Sequence, residues 1–436
     1  MATTAFRPAM LPWLAAAAWL GLAAPAPAAA QAPAAAPGSC VTCHQTLGGE
    51  TAAPVASFAS DIHSARGFTC VDCHGGDPTT DDPMAAMDPK KGFKGSLAGA
   101  AGVQACARCH SDAAFMRTYA PRQRVDQQAE YATSIHGQRL AKGDTKVATC
   151  ASCHTAHGIR AVNDAKSTVY PTNVAATCAT CHADPAHMAG YTKDDGSPLP
   201  TNQRADYQTS VHYEALTKKS DLSAPTCNDC HGNHGAAPPG AGSVINVCGT
   251  CHAVFAARMQ ASPHAAVFDR GCVECHGNHA VKAPTDALLG MSDGAICATC
   301  HDGDNGAAAA TKMRGDIDGL RAAIDHSEAT LERLHEAGME VGAQQIALRE
   351  ARSHLTLSRT EIHGLDPAAV DKVTGEGLAI TADIDKAGAE AAAELQYRRT
   401  GLAASMVAIL LVVVALVAKI RQIEERTPLT TDDGHH

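Results

Sequence analysis

Apolar and polar positions follow three different rhythms along the chain. Near the N-terminus an apolar stretch runs from Met10 to Ala24 behind one basic residue, Arg7, and ends in Ala28, Ala29 and Ala30 before Gln31. That order predicts a secretory signal peptide over residues 1–30, with an uncleaved anchor as the alternative. From Ala307 to Arg399, the residues Ile317, Leu320, Ile324, Leu331, Leu334, Val341, Leu348, Leu355 and Ile362 recur at intervals of three, four and seven. This predicts an amphipathic helical stalk over residues 307–400, in two antiparallel stretches broken near Gly338–Gly342. Asp366 and Pro367 offer an N-cap and a first helical residue for a further helix, which Gly375, Gly377 and Gly388 weaken. Leu402 to Ala418 carries no charge. At about 1.5 Å per residue it reaches about 25 Å, near the lower limit for crossing a bilayer. A transmembrane helix is expected over residues 402–418, with a tail over 419–436. Val and Leu on all its faces argue against a buried soluble helix. Arg398 and Arg399 precede the run, and Lys419, Arg421 and Arg426 follow it. Their bias toward a cytoplasmic tail is slight. The signal peptide sets the orientation, with the preceding chain outside and the tail inside.

The connecting segments within residues 38–303 support little regular structure. Gly, Pro, Ala and Asp dominate Asp77–Gly102 and Pro238–Gly242, so irregular connections, short helices and almost no sheet are expected. Cysteines organise this region instead. All 18 fall in Cys-x-x-Cys-His strings: Cys40, Cys43 and His44; Cys70, Cys73 and His74; Cys106, Cys109 and His110; Cys150, Cys153 and His154; Cys178, Cys181 and His182; Cys227, Cys230 and His231; Cys248, Cys251 and His252; Cys272, Cys275 and His276; Cys297, Cys300 and His301. Two thiols at this spacing can add to the two vinyl groups of a porphyrin, and the adjacent histidine can bind its iron as proximal ligand. Zinc would need two thiol pairs per metal and no histidine each time. Nine c-type haems are therefore expected. The aromatic content of 4% fits a core filled by porphyrins instead of Phe, Tyr and Trp. The net charge of -10 argues against a nucleic-acid partner and permits docking to a basic redox protein.

The strings repeat in pairs. Ser134-Ile135-His136 precedes Cys150–His154, then His157 and the string at Cys178. Ser210-Val211-His212 precedes Cys227–His231, then His234 and the string at Cys248. Ser262-Pro263-His264 precedes Cys272–His276, then His279 and the string at Cys297. A degenerate first copy has His63 before the strings at Cys70 and Cys106, with Gly76-Asp77 in place of the extra histidine. One leading string and four two-string units result.

With Ser-x-His ahead of the string and Cys-His-x-x-His-Gly within it, residues 38–303 resemble the multihaem cytochromes c. That superfamily includes the class III tetrahaem cytochromes, the quinol dehydrogenases of nitrate and nitrite respiration, and octahaem enzymes. The resemblance implies closely stacked haems with two histidines per iron. The distal candidates are His63, His136, His157, His187, His212, His234, His264 and His279. His157, His234 and His279 sit too close to their own proximal histidine to reach its haem's opposite face, so they should serve a neighbour. Eight candidates leave one iron short. Among the helical histidines His326, His335, His354 and His363, we favour His363, at the end of an amphipathic stretch beside Gly364, over His335. Met84, Met188 or Met259 could replace a histidine.

The expected fold class is mainly α with extensive irregular coil: a haem-cored domain, a long-helix region and one transmembrane helix. The expected function is extracytoplasmic electron relay, between a quinone-linked or cytochrome partner in the membrane and a periplasmic or extracellular acceptor. A quinol-oxidising membrane subunit or a larger complex is a possible setting. The alternative is a reductase of nitrogen or sulfur oxyanions. Such enzymes keep one iron open, often through a lysine in place of the proximal histidine, and no Cys-x-x-Cys-Lys string occurs here. An open iron would belong with His44 or His110, which have the fewest distal candidates nearby.

Overall fold

The computed structural model describes residues 38–240 and 243–426; the expected signal peptide and the end of the tail lie outside the described residues. The chain is mainly helical. Among the described residues, paired extended backbone is limited to an isolated bridge between Thr192 and Pro198. Two compact units form: one takes the chain up to Ala56 with Cys70–Gly95, the other Ser57–Thr69 with everything from Ser96 onward.

In the first unit the helix Ser39–Leu47 carries the leading string and the helix Cys70–His74 the next. The amide and hydroxyl of Ser39 both donate to the Pro78 carbonyl, at 3.2 and 2.9 Å. Gly75 follows His74 with φ 71°, and a Cβ there would stand 2.0 Å from the Gly92 carbonyl oxygen. Only glycine fits this close return of the backbone.

In the second unit the strings alternate between two settings. Cys150–His154, Cys227–His231 and Cys272–His276 are free-standing five-residue helices. Thr149 and Thr226 cap two of them. The Thr149 amide donates to Ser152 Oγ at 3.0 Å, and the Thr226 amide to Asp229 Oδ2 at 2.7 Å. The other strings end longer helices, Gly99–His110 and Pro171–His182, or sit in the short helix Val244–Gly249 and the turn Cys297–Thr299. Many of the residues this segment buries are small: Ala107, Ala175, Ala179, Ala224 and Ala256.

The large apolar core lies elsewhere, in three long helices: Asn305–Glu336, Gly342–Glu361 and Pro367–Arg426. Met313, Ile317, Leu320, Ile324, Leu331 and Leu334 of the first meet Leu348, Ala351 and Leu355 of the second and Val370 and Ile384 of the third. Asp366 Oδ1 accepts from the Ala368 amide at 2.9 Å and starts the third helix. That helix runs 60 residues without interruption, about 90 Å. The glycines expected to weaken it do not break it. A Cβ at Gly377 would stand 2.8 Å from the Leu320 methyls, and one at Gly388 would stand 3.2 Å from Thr330 Cγ2. Both glycines let helices approach closely, and packing outweighs the roughly 1 kcal/mol that a helical glycine costs. Nothing separates stalk from span: beyond Arg399 the same helix exposes Leu402, Met406, Leu410, Val414 and Val417. Among the described residues it is the helix long and apolar enough to cross a membrane, a candidate anchor.

Carboxylates fasten the bundle to the cysteine-rich segment. Asp286, with a side chain 10% exposed, accepts from Arg359 Nε and Nη2 at 2.8 Å each and from Arg321 Nη1 at 3.0 Å. The Arg359 hydrogen bond chiefly holds its carboxyl below the usual range. Glu361 accepts from Arg258 Nη2 at 2.6 Å. Asp286→Ala leaves two guanidinium groups without their shared acceptor. Both are half-exposed, so water compensates in part, and the expected loss is about 2 kcal/mol. Thermal unfolding of the detergent-solubilised protein, followed by circular dichroism, measures it.

Candidate functional site

The histidines named from sequence meet in twos. Ring centres stand 5.9 Å apart for His63 and His110, 6.1 Å for His136 and His182, and 6.2 Å for His154 and His234. They stand 6.5 Å apart for His212 and His252, 6.0 Å for His231 and His279, 5.9 Å for His264 and His301, and 6.2 Å for His276 and His363. A metal–imidazole nitrogen bond runs about 2 Å, so two imidazoles on opposite sides of one metal place their ring centres about 6 Å apart. In each of these seven pairs one member directly follows a Cys-x-x-Cys string, which places two thiols beside it. The residues present therefore fit a c-type haem. Among the described residues no group of three or more His, Cys, Asp or Glu side chains converges as a protein-only metal cage.

The pairing follows a rule. His63, His136, His212 and His264, which precede the two-string units, each meet the histidine of their unit's second string. His234 and His279 instead meet the first-string histidine of the preceding unit. His363, delivered by the turn Ile362–Gly364, meets His276 and so takes the place a further unit would fill. His110, expected to be short of nearby candidates, faces His63. The pairs led by His154, His231 and His276 lie within 20° of parallel.

Backbone bonds repeat the same register. The Ile62 amide donates to the Ile159 carbonyl at 2.8 Å, Ile135 to Ala236 at 3.1 Å and Val211 to Val281 at 2.8 Å. Each acceptor lies two residues past the extra histidine of the following unit. The fourth copy has no following unit, and it carries Pro263, which has no amide hydrogen to place. The Tyr131 and Tyr207 hydroxyls donate to the Ala148 and Pro225 carbonyls at 2.8 and 2.9 Å, and burial pushes both phenols up to about 12.

Ring nitrogens are prepared for a metal. His74 Nδ1 lies 2.9 Å from the Gly95 carbonyl, His231 Nδ1 3.2 Å from that of Ala237, and His363 Nδ1 3.2 Å from that of Thr360. A proton donated from Nδ1 leaves Nε2 with its lone pair. Burial, then the facing ring, lowers the pKa of His110, His136, His212 and His264, which favours the neutral ligand form.

Other residues named from the sequence lie outside these seven pairs. His44 and His187 are half-buried, the former with Nδ1 3.3 Å from the Thr51 carbonyl. His187 sits on the turn Pro185–Met188, five residues past His182, where Phe115 stands in the preceding second-string helix pair. His157 is half-buried directly before Gly158. His335 and His326 are exposed on the first long helix, and Met84 is exposed.

Asp61 was not singled out by the sequence motifs. Its side chain is 1% exposed and reaches His63 Nδ1 at 2.9 Å, the His63 amide at 2.8 Å, and the Gly158 and Ile159 amides at 2.8 and 2.7 Å. Burial raises its pKa, but the amide bonds outweigh burial and hold the carboxyl below its usual range. Placing the copies in register reveals it: Asp61-Ile62-His63 stands where the others have Ser-x-His.

Residues 62–163 match the cytochrome c3 family and residues 264–306 the doubled CXXCH motif family. These likenesses support a multihaem c-type cytochrome that transfers electrons. No curated protein and no solved structure matches the chain.

Val211→Pro tests the stitching register. Ser210 is extended at ψ 158°, which suits a following proline, so the change removes one amide donor with little strain. A loss of about 1 kcal/mol is expected. The denaturation midpoint in guanidinium measures it, with the haem absorption spectrum of the folded protein unchanged.

Proposed function

We propose that the protein is a nine-haem c-type cytochrome, anchored by its C-terminal helix, that relays electrons on the outer face of a cytoplasmic membrane. The observation that carries this reading is the set of seven histidine pairs at 5.9–6.5 Å, each with its own thiol pair. Covalently attached haems supply the ferric/ferrous couple. The proximal ligands are the nine string histidines. His63, His136, His212, His234, His264, His279 and His363 serve as distal ligands, and His157 and His187 are the further candidates.

Two imidazoles per iron leave no position for a small oxyanion and hold the metal with little reorganisation between its two states, which suits relay better than catalysis. Within each compact unit, neighbouring strings also lie close in chain order. The Cys40 and Cys70 thiols interact in the first unit. In the second, Cys106 lies near Cys150, Cys178 near Cys227, and Cys248 near Cys272. Cys153 lies near Cys181, Cys230 near Cys251, and Cys275 near Cys297. Such adjacency supports cofactors that succeed one another along the chain, ending beside the helical bundle. The anchor would bring that end to a membrane partner of the quinone-linked or cytochrome kind, alone or within a larger complex. The signal peptide and the basic residues flanking the span support a cytoplasmic tail.

Electron paramagnetic resonance of the intact ferric protein should show low-spin haem only; a substantial high-spin signal would favour the oxyanion-reductase reading. His363→Ala should convert one of the nine haems to a five-coordinate, high-spin form. An unchanged spectrum would move that ligand elsewhere.

A further inference from the structure

We propose that Asp61 is a positioning residue that tunes the haem attached at Cys106 and Cys109. It would make that haem the lowest in potential of the four held by second strings within the two-string units. This rests on the reading of His63 as an axial ligand. The four copies provide an internal comparison. The residue two before the distal histidine is buried in each: Ser134, Ser210 and Ser262 in three, Asp61 in the first. The serines serve the backbone. Ser134 Oγ accepts from the Gly137 amide at 2.9 Å, Ser210 Oγ from the Tyr213 amide at 3.1 Å, and Ser262 Oγ donates to the Met259 carbonyl at 2.8 Å. Asp61 instead accepts from the ring of the distal histidine itself, at 2.9 Å.

A carboxylate accepting from Nδ1–H draws the proton toward itself and gives the imidazole more anionic character, so Nε2 becomes a stronger donor to a metal. A stronger donor and a nearby buried negative charge both favour the ferric over the ferrous state. No carboxylate comes within 4 Å of His136, His212 or His264 among the described residues. The other short histidine–carboxylate contact, His301 Nδ1 to Asp304 Oδ2 at 2.8 Å, involves a half-exposed acid whose charge water screens. Asp61 is in addition fixed by the Gly158 and Ile159 amides, so its carboxylate is held on the ring without freedom to turn away.

The test uses the full-length protein in detergent, with a potentiometric titration followed by electron paramagnetic resonance of the low-spin ferric signals. Asp61→Ser installs the residue the other copies carry, Asp61→Asn keeps an acceptor without charge, and His63→Met marks the component that belongs to this haem. Asp61→Ser should move one midpoint upward and Asp61→Asn the same midpoint by less. Every haem should stay low-spin, and the component that moves should be the one His63→Met moves. Unchanged midpoints, a downward shift, or a new high-spin haem would overturn the proposal, the last by showing that Asp61 merely holds the ring in place. If His63→Met alters no component, the ligand assignment beneath the proposal fails as well, and the two failures are thereby told apart.

Discussion

Two imidazole rings from distant parts of one chain must meet about 6 Å apart, and most of the structure serves that constraint. The segment that carries the strings buries little apolar bulk, so side-chain packing alone does not bring the rings together. Five-residue helices set the His154, His231 and His276 rings, and longer helices or turns set the rings of the second strings. The Ser-x-His entries and the extra histidines of the next unit supply the other. Amide bonds from Ile62, Ile135 and Val211 lock each entry to the unit that follows, so the copies interleave instead of standing side by side. A unit in this arrangement is incomplete without its successor.

The bundle resolves the incompleteness at the end of the series. After the fourth unit the chain offers no further string, and His276 would lack a facing ring. The turn at His363 occupies that place, held by the Arg258–Glu361 pair and by Asp286 between Arg321 and Arg359. Pro263 marks the same boundary from the other side, since the fourth copy has no following unit whose carbonyl an amide there could reach. The bundle that carries the candidate anchor thus also terminates the repeat, which couples the membrane-directed helix to the last part of the histidine array.

Much of this was legible in the sequence, and the omissions have physical causes. Nine strings are written locally, because attachment chemistry needs a fixed spacing. The three-four rhythm marked the bundle, and Asp366-Pro367 marked the start of its last helix. Which ring faces which was not legible, because the answer depends on how irregular connections fold back over tens of residues. His63 facing His110 shows the limit: the two are 47 positions apart with another string between them. The glycines of the third helix suggested weakness, since propensity is a local quantity, while Gly377 and Gly388 act through contacts with Leu320 and Thr330 on another helix. Asp61 escaped notice for a related reason. An acid before a histidine is unremarkable in one copy and becomes informative only when the copies are set in register and its burial is known.

The most direct measurement is an experimental structure with anomalous diffraction at the iron edge. The account predicts an iron midway between the rings of each of the seven pairs, His63–His110 through His276–His363, with the irons following the order of their strings along the chain. Irons displaced to one side of these pairs, or bound by a single histidine with the second ring turned away, would contradict it.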